Sequence, residues 1–259
     1  MKTAKEFLDD LWESVQPLHK VAEIQTRQFF AEKGKDKEEL TKFFNIRLAN
    51  ERKNMVELSR KVSELPTDTD PEDCRLLSKQ AWDEAEHFRI VHEILEHLTG
   101  EKPNVPEICN KKSDISMGAS LIEKYDSHDN PVMMHLYQYI AEGRASTVWS
   151  TMAEVAGDDF IQTRYARVAR DEKFHSKIGR MMLEKILTTQ EEQDKATAHV
   201  NELIWDLFEV SCTSLGDFES ATPEVQQIMS EAYGQPHRDL CVAFNGKSAG
   251  LENPHLVAA

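Results

Sequence analysis

The chain carries the motif Asp-Glu-x-x-His twice, at Asp83–His87 and at Asp171–His175. Each copy lies within a long stretch whose apolar residues recur with helical periodicity. Residues three positions apart share one face of a helix, so the Glu and the His of each copy point in the same direction. Two such helices facing each other would bring two carboxylates and two imidazoles to one point. This ligand set suits a pair of transition-metal ions.

Chance does not explain both copies of the motif. The sequence holds 10 His and 29 Glu among 259 residues, so random placement gives about one Glu-x-x-His. A third copy, from Glu252 to His255, contains Pro254 and lies in a C-terminal stretch without helical periodicity. We assign that copy to chance. The other two copies share the preceding Asp and the helical context, which makes a functional origin the better interpretation.

Two further carboxylates interrupt apolar helical faces. Glu51 lies on an apolar stripe of its helix, four residues before Met55. The segment 131–156 contains only three formally charged residues, so we predict a largely buried helix with Glu142 at its centre. Arg144 is two positions from Glu142 and cannot share its face, so we expect it to pair away from the site.

These carboxylates need compensating charge. An isolated buried carboxylate is very unfavourable, and no comparable set of buried Lys or Arg is evident on these faces. Two divalent ions would balance four carboxylates, and the imidazoles favour iron or manganese over calcium or magnesium. Asp83 and Asp171 fit acceptors for the imidazole N–H groups, but the spacing does not decide which Asp serves which His. The predicted metal ligands, which would act in catalysis through the metals, are Glu51, Glu84, His87, Glu142, Glu172 and His175.

A substrate pocket is predicted near Glu142. Tyr139 and Trp149 lie three residues before and seven residues after this carboxylate, and Ser146 belongs to a run of small residues beside it. These side chains are candidates for the wall of a substrate cavity. Aromatic residues at such positions are more often part of the core, and the sequence leaves that alternative open.

The elements that must position these residues are all helical. The chain has only 10 Gly and 9 Pro, with 40% hydrophobic and 30% charged residues, and this composition indicates a globular all-α protein. We predict one domain over 1–259, in which two helix pairs joined by a long crossover form a four-helix bundle over about 36–187. The predicted helices cover 4–32, 36–65, 70–100, 131–156, 158–187, 190–214 and 223–233, and the first of them has a kink at Pro17. The predicted crossover covers 101–130. The C-terminal helices and an extended arm occupy about 189–259.

Charge and hydropathy exclude several partners. A formal net charge of −15 disfavours binding to nucleic acid or to an anionic membrane. No apolar run approaches the ~20 residues that span a bilayer, and residues 1–6 lack the apolar core of a signal peptide. The four cysteines have no metal-type spacing and are too few to stabilise a chain of this length through disulfides. We therefore expect a cytoplasmic protein.

The ligand order Glu51, Asp83-Glu84-x-x-His87, Glu142, Asp171-Glu172-x-x-His175 resembles that of the di-iron carboxylate proteins of the ferritin-like superfamily. The resemblance implies a ferritin-like four-helix bundle that binds two iron ions, with manganese as a variant. It also implies that Glu84 and Glu172 bridge the metals and that Glu51 and Glu142 are terminal ligands. The implied activity is that of an O2-dependent oxygenase or oxidase acting on a small organic substrate, with electrons from a separate ferredoxin or reductase, from the substrate or from a co-substrate.

Departures from the pattern separate this chain from some members of the family. Rubrerythrins have paired Cys-x-x-Cys motifs that this chain lacks, and Val91 stands where ribonucleotide reductase small subunits have a radical Tyr. Ferritins are much shorter. The chain is most similar to small bacterial oxygenases and oxidases such as phenylacetyl-CoA epoxidase catalytic subunit relatives and the aldehyde-deformylating oxygenase; the negative charge counts against the related tRNA-modifying hydroxylase. A ferroxidase or rubrerythrin-like peroxide-scavenging protein, and a bundle with structural metals, are the alternatives, and a homodimer is left open.

Overall fold

A computed structural model of the chain describes residues 1–110, 121–122, 124–125, 131–215, 219–240 and 242. All regular elements among these residues are α-helices, and the prediction of an all-α protein is confirmed. The helices are α1 (Ala4–Ser14), α2 (Gln16–Lys33), α3 (Lys37–Ser63), α4 (Pro71–Thr99), α5 (Val105–Asn110), α6 (Pro131–Val155), α7 (Asp159–Ile186), α8 (Gln190–Thr213) and α9 (Pro223–Tyr233).

Aspartates cap the N-termini of three helices that carry predicted ligands. Asp36 accepts hydrogen bonds from the first-turn backbone of α3, Asp70 does the same for α4, and Asp158 does so for α7. These caps satisfy N–H groups that have no partner within the helix. At its other end, α4 stops at Gly100, whose φ of 80° is left-handed and suits glycine. Local sequence therefore sets where these helices start and where α4 ends.

The predicted helix over 4–32 is divided into two. Helix α1 ends at Ser14, and α2 begins at Gln16 after a single residue, Val15. Pro17 lies in the first turn of α2, where its missing N–H leaves no hydrogen bond unmade. The proline therefore starts a new helix, where the sequence had suggested a kink within one.

Helix packing brings the two motif helices together. Helix α3 pairs with α4, α6 pairs with α7, and α4 packs on α7. Helix α2 lies along α6, and α8 contacts both of them. The approach of α6 to α7 is close at Gly179, where an added Cβ would lie 2.6 Å from the backbone nitrogen of Tyr139. A glycine at this position lets the two backbones meet.

Other parts of the predicted organisation are described only in part. Residues 234–240 adopt neither helix nor strand, and the rest of the predicted arm, apart from residue 242, lies outside the described residues. Most of the part of the predicted crossover that covers 111–130 also lies outside them. None of the helices in the described ranges combines the length and the apolar character needed to cross a membrane.

Candidate metal centre

Side chains from four helices converge on one buried group. Two overlapping sets of ligand atoms each lie within 4.8 Å of one another, and Glu84 belongs to both sets. Such a buried Glu and His group could hold a metal ion. The first set is Glu84, Glu142, Glu172 and His175; the second is Glu51, Glu84 and His87. Together they contain the six residues that the sequence singled out.

The two motif glutamates lie between the two imidazoles. Glu84 places Oε2 3.8 Å from Nδ1 of His87 and Oε1 3.4 Å from Nδ1 of His175. Glu172 does the same, with Oε1 3.7 Å from Nδ1 of His87 and Oε2 3.1 Å from Nδ1 of His175. Each of these two carboxylates therefore has one oxygen near Nδ1 of His87 and the other near Nδ1 of His175.

The neighbouring aspartates hold the far side of each ring, and they do so across the helix pair. Nε2 of His87 on α4 lies 3.4 Å from Oδ2 of Asp171 on α7. Nε2 of His175 on α7 lies 3.3 Å from Oδ2 of Asp83 on α4. With a proton on each Nε2, each Nδ1 is free to bind a metal, and the ring orientation is fixed.

The outer carboxylates have different neighbours. Glu51 is buried on α3 and lies 3.7 Å from a guanidinium nitrogen of Arg47, one turn before it. Glu142 on α6 is part-buried, because it faces a cavity, and its Oε1 accepts a hydrogen bond from Nε2 of Gln80 at 3.2 Å. Gln80 lies one turn before Glu84 on α4, so the same helix face supplies both residues. The sequence analysis did not identify Gln80.

Protonation of the metal-free site reflects the excess of negative charge. Burial and nearby carboxylates raise the pKa of Glu142 well above its ordinary value, and burial raises the pKa of Glu51 to about 7. Burial opposes charge on His175, but hydrogen bonds to Asp83 and Glu172 raise its pKa to about 9. His87 is raised well above its usual pKa against the same opposition. Without metal, protons therefore collect on both carboxylates and imidazoles.

The pKa of Glu172 is shifted in the opposite direction from those of Glu51 and Glu142. Burial would raise its pKa, yet the hydrogen bond from His175 and the charge of His87 lower the pKa to about 2. Glu172 therefore keeps its negative charge in the metal-free site because His175 and His87 lie beside it.

The residues present fit a metal centre. Oε2 of Glu84 and Nδ1 of His87 are buried and have no hydrogen-bond partner among the described residues. Leaving a buried polar atom unpaired costs about 1–3 kcal/mol. The only ion pair that Lys or Arg makes with the four glutamates in the described ranges is that of Arg47 with Glu51. One guanidinium does not balance four carboxylates, whereas divalent cations bound between these atoms would balance the charge and satisfy the unpaired atoms.

A cavity of about 90 Å³ adjoins the site. Its wall includes three of the ligand candidates, and Trp149 is also part of it. Tyr139 and Ser146, the other two predicted pocket residues, line a separate depression beside Trp12. The hydroxyl of Tyr139 donates to the carbonyl of Leu8, and that of Ser146 donates to a carbonyl on α7. Of the three predicted pocket residues, the structure therefore places only Trp149 in the wall of the cavity beside the candidate ligands.

Arg144 also lines this cavity. Its guanidinium donates to Oγ of Ser211 on α8 rather than to the ligand carboxylates, so it does pair away from them, but it remains in the same chamber. A signal for this role was present in the sequence: Arg144 is one of only three charged residues in a buried helix.

Fold and site together define an all-helical protein with a buried carboxylate and histidine centre. Comparison of the chain with protein-family models, with curated proteins and with solved structures finds no match. The function is therefore argued from the residues themselves.

Proposed function

We propose that this protein is a non-haem di-iron oxygenase or oxidase that activates O2 and oxidises a small organic substrate. One observation carries the proposal: Glu84 and Glu172 each extend one oxygen towards the Nδ1 of both histidines. Carboxylates that span two nitrogen ligands are suited to bridging two metal ions. The remaining carboxylates belong to different ligand sets, Glu51 to that of His87 and Glu142 to that of His175, and each would serve as a terminal ligand.

The residue set supports iron, with manganese as a variant. Imidazole and carboxylate ligands together suit these ions better than calcium or magnesium, which prefer oxygen alone. Two Fe(II) ions would supply electrons for the reduction of O2 when bound. We further propose that α3, α4, α6 and α7 form a ferritin-like bundle, and that a separate ferredoxin or reductase restores the reduced state.

The chain's own residues prepare the site for this chemistry. Asp83 and Asp171 orient the imidazoles, and Gln80 holds the Glu142 side chain. The adjoining cavity is lined in part by apolar side chains, among them Met152 and Trp149, and has a volume of about 90 Å³. A cavity of this size favours a small substrate.

Iron loading and O2 consumption test the proposal. Metal-free protein is reconstituted with Fe(II) under anaerobic conditions, and O2 uptake is followed with an electrode after air is admitted. We expect two irons per chain and O2 uptake that depends on them. Glu172→Ala should abolish both, whereas Glu184→Gln, an exposed change on the same helix, should alter neither. Full metal content in Glu172→Ala would refute the ligand assignment.

The same experiment separates the alternatives. A ferroxidase would consume O2 in proportion to added Fe(II) well beyond two ions per chain. A bundle with structural metals would bind the ions, take up no O2 and lose its helical signal when they are removed. Limited uptake in the absence of substrate, with increased uptake when a substrate is added, supports the oxygenase.

A further inference from the structure

The cavity beside the metal group contains an arginine without an acidic partner. Arg144 is only 9% exposed, and no carboxylate lies within ion-pair distance of it among the described residues. In the ranges that the structure describes, the hydroxyl of Ser211 is the one hydrogen-bond partner of its guanidinium. An arginine guanidinium carries a positive charge at neutral pH. A buried cation without a counter-ion is unfavourable unless something else supplies the negative charge.

The other polar groups of the cavity wall add donors. Arg47 stacks over the ring of Trp149 at 4.9 Å, and both residues line the cavity. Nε of Arg47 and Nε1 of Trp149 are buried N–H donors that have no hydrogen-bond partner within the described part of the chain. Gln25 is the one cavity residue in the described ranges with an unpaired buried acceptor, its Oε1. The wall also carries the carboxylates of Glu51, Glu142 and Glu172, so the cavity as a whole is not cationic. Arg144 and the unpaired N–H donors offer a local site for an anionic group within it.

Arg144 and the metal ligands lie on opposite margins of the same chamber. A helix turns about 100° per residue, so the stripe of α6 through Ala141, Ala145 and Val148 faces the cavity. Glu142 lies on one margin of this stripe and Arg144 on the other. The two alanines between them leave the space open. A molecule held at Arg144 would therefore extend across the alanines towards Glu142.

We propose that the cavity binds a small organic acid, with its carboxylate on Arg144 and its carbon chain directed towards Glu142 and Glu172. The planar guanidinium matches a carboxylate through two parallel hydrogen bonds. Apolar side chains such as Leu207 and Val210 cover the rest of the wall and suit a hydrocarbon chain. Oxidation of this acid rests on the proposed function, whereas its binding does not.

The cavity limits the size of the acid. A cavity of about 150 Å³ accommodates benzene, and this one measures about 90 Å³. The acid that fits within it is therefore short, on the order of four or five heavy atoms with the carboxylate included. Propionate is the natural probe, and propionamide is its neutral counterpart of nearly the same shape.

Binding to the metal-free protein is the first test. Propionate labelled with carbon-13 at the carboxyl group is titrated and followed by NMR, with propionamide and inorganic phosphate as competitors. We expect propionate to bind at least tenfold more tightly than propionamide, and phosphate to compete weakly. Arg144→Gln should weaken propionate binding at least tenfold, and Arg144→Lys should weaken it less. Arg170→Gln, an exposed charge on α7, is the matched control and should have no effect.

A structural role for Arg144 makes different predictions. If the guanidinium served only to hold α8, Ser211→Ala and Arg144→Gln would lower the free energy of unfolding equally, and neither would change the preference for the acid over the amide. Equal binding of propionate and propionamide by the wild-type protein would overturn the proposal. So would unchanged propionate binding in Arg144→Gln.

O2 consumption by the Fe(II)-loaded protein separates this proposal from the proposed function. Tight binding of propionate without any O2 uptake would leave the acid site standing and reject the oxygenase. O2 uptake that is insensitive to carboxylates and to Arg144→Gln would support the oxygenase and reject the acid site. Uptake stimulated by propionate in the wild type and lost in Arg144→Gln would support both.

Discussion

Asp83 on α4 lies 3.3 Å from Nε2 of His175 on α7, so the first motif orients the histidine of the second. The reciprocal contact, from Asp171 to His87, measures 3.4 Å. Each Asp-Glu-x-x-His motif therefore supplies a carboxylate and an imidazole to the centre and an orienting acceptor to the opposite helix. This exchange ties the separation of α4 and α7 to the direction in which each Nδ1 points.

The aspartates should control metal affinity. Replacing Asp83 or Asp171 with Asn leaves a side chain of the same shape but removes the negative charge that favours the Nε2–H form of the ring. We expect each change to lower metal affinity 10- to 100-fold, as measured by competition with a chelator. Asp194→Asn, an exposed position on α8, serves as the control. Unaltered affinity in both variants would show that the contacts do not support the ligands.

Stability of the metal-free protein should fall as pH rises from 6.5 to 9. The pKa of His175 is raised to about 9 and that of Glu51 to about 7, so the folded state holds more protons than the unfolded chain. The extra proton of Glu51 is lost as pH passes through 7, and that of His175 as pH passes through 9. The favourable contribution of His175 is complete below pH 6.5 and is lost as pH passes through 9. For each extra proton that the folded state holds, the free energy of unfolding should fall by on the order of 1.4 kcal/mol per pH unit.

Urea unfolding at several pH values, with and without metal, measures this effect. Bound metal replaces these protons, so the slope should disappear in the loaded protein. His19, buried with a pKa lowered to about 4, acts in the opposite direction only below pH 6.5 and does not interfere. A metal-free protein that became more stable towards pH 9 would contradict the assigned protonation.

Gly179→Ala should separate α6 from α7. The added Cβ would lie 2.6 Å from the backbone nitrogen of Tyr139, and backbone cannot rotate away. The overpacking should cost about 1–3 kcal/mol, which exceeds the gain of about 1 kcal/mol in helix propensity. Because α6 and α7 carry Glu142 and Glu172, metal affinity should fall as well.

Gly143→Ala provides the comparison for this variant. There the nearest atoms belong to the far edge of the Trp12 ring, at 2.7 Å, and to a serine hydroxyl. Side chains can shift where backbone cannot, so the loss in unfolding free energy should be smaller than for Gly179→Ala. The opposite order would mean that the helix approach at Gly179 is not tight.

Ala145→Leu should fill the cavity without disturbing the metals. Ala145 lies on the cavity-facing stripe of α6 and is not a ligand. We expect propionate binding to be lost while two irons per chain are retained, as measured by NMR titration and metal analysis. Ala232→Leu on α9, at an exposed position, is the control. Retained propionate binding in Ala145→Leu would place the acid elsewhere.

The six residues that converge on the buried Glu and His group could be predicted from the sequence because they obey helical periodicity. The three-residue spacing of Glu84 and His87 places both on one face whatever the helix packs against. The helix break was predicted less well, because Pro17 suggested a kink within one helix over 4–32, whereas the structure has two helices separated by Val15.

The cavity shows the limit of this reasoning. Tyr139, Ser146 and Trp149 all lie near Glu142 in sequence, yet only Trp149 faces the same chamber. The direction of a side chain from its own helix is local. Which neighbouring helix it meets depends on the rotation and separation of that pair, and sequence spacing carries neither.

The sequence by itself determined the helical class and the six residues that converge, because both depend on short-range periodicity and on the cost of isolated buried charge. Tertiary structure decided that Asp83 serves His175 and not His87, and that Arg144 shares a chamber with Glu142. Those relationships join residues on different helices, and only the packing of α4 on α7 and of α8 on α6 fixes the distances between them.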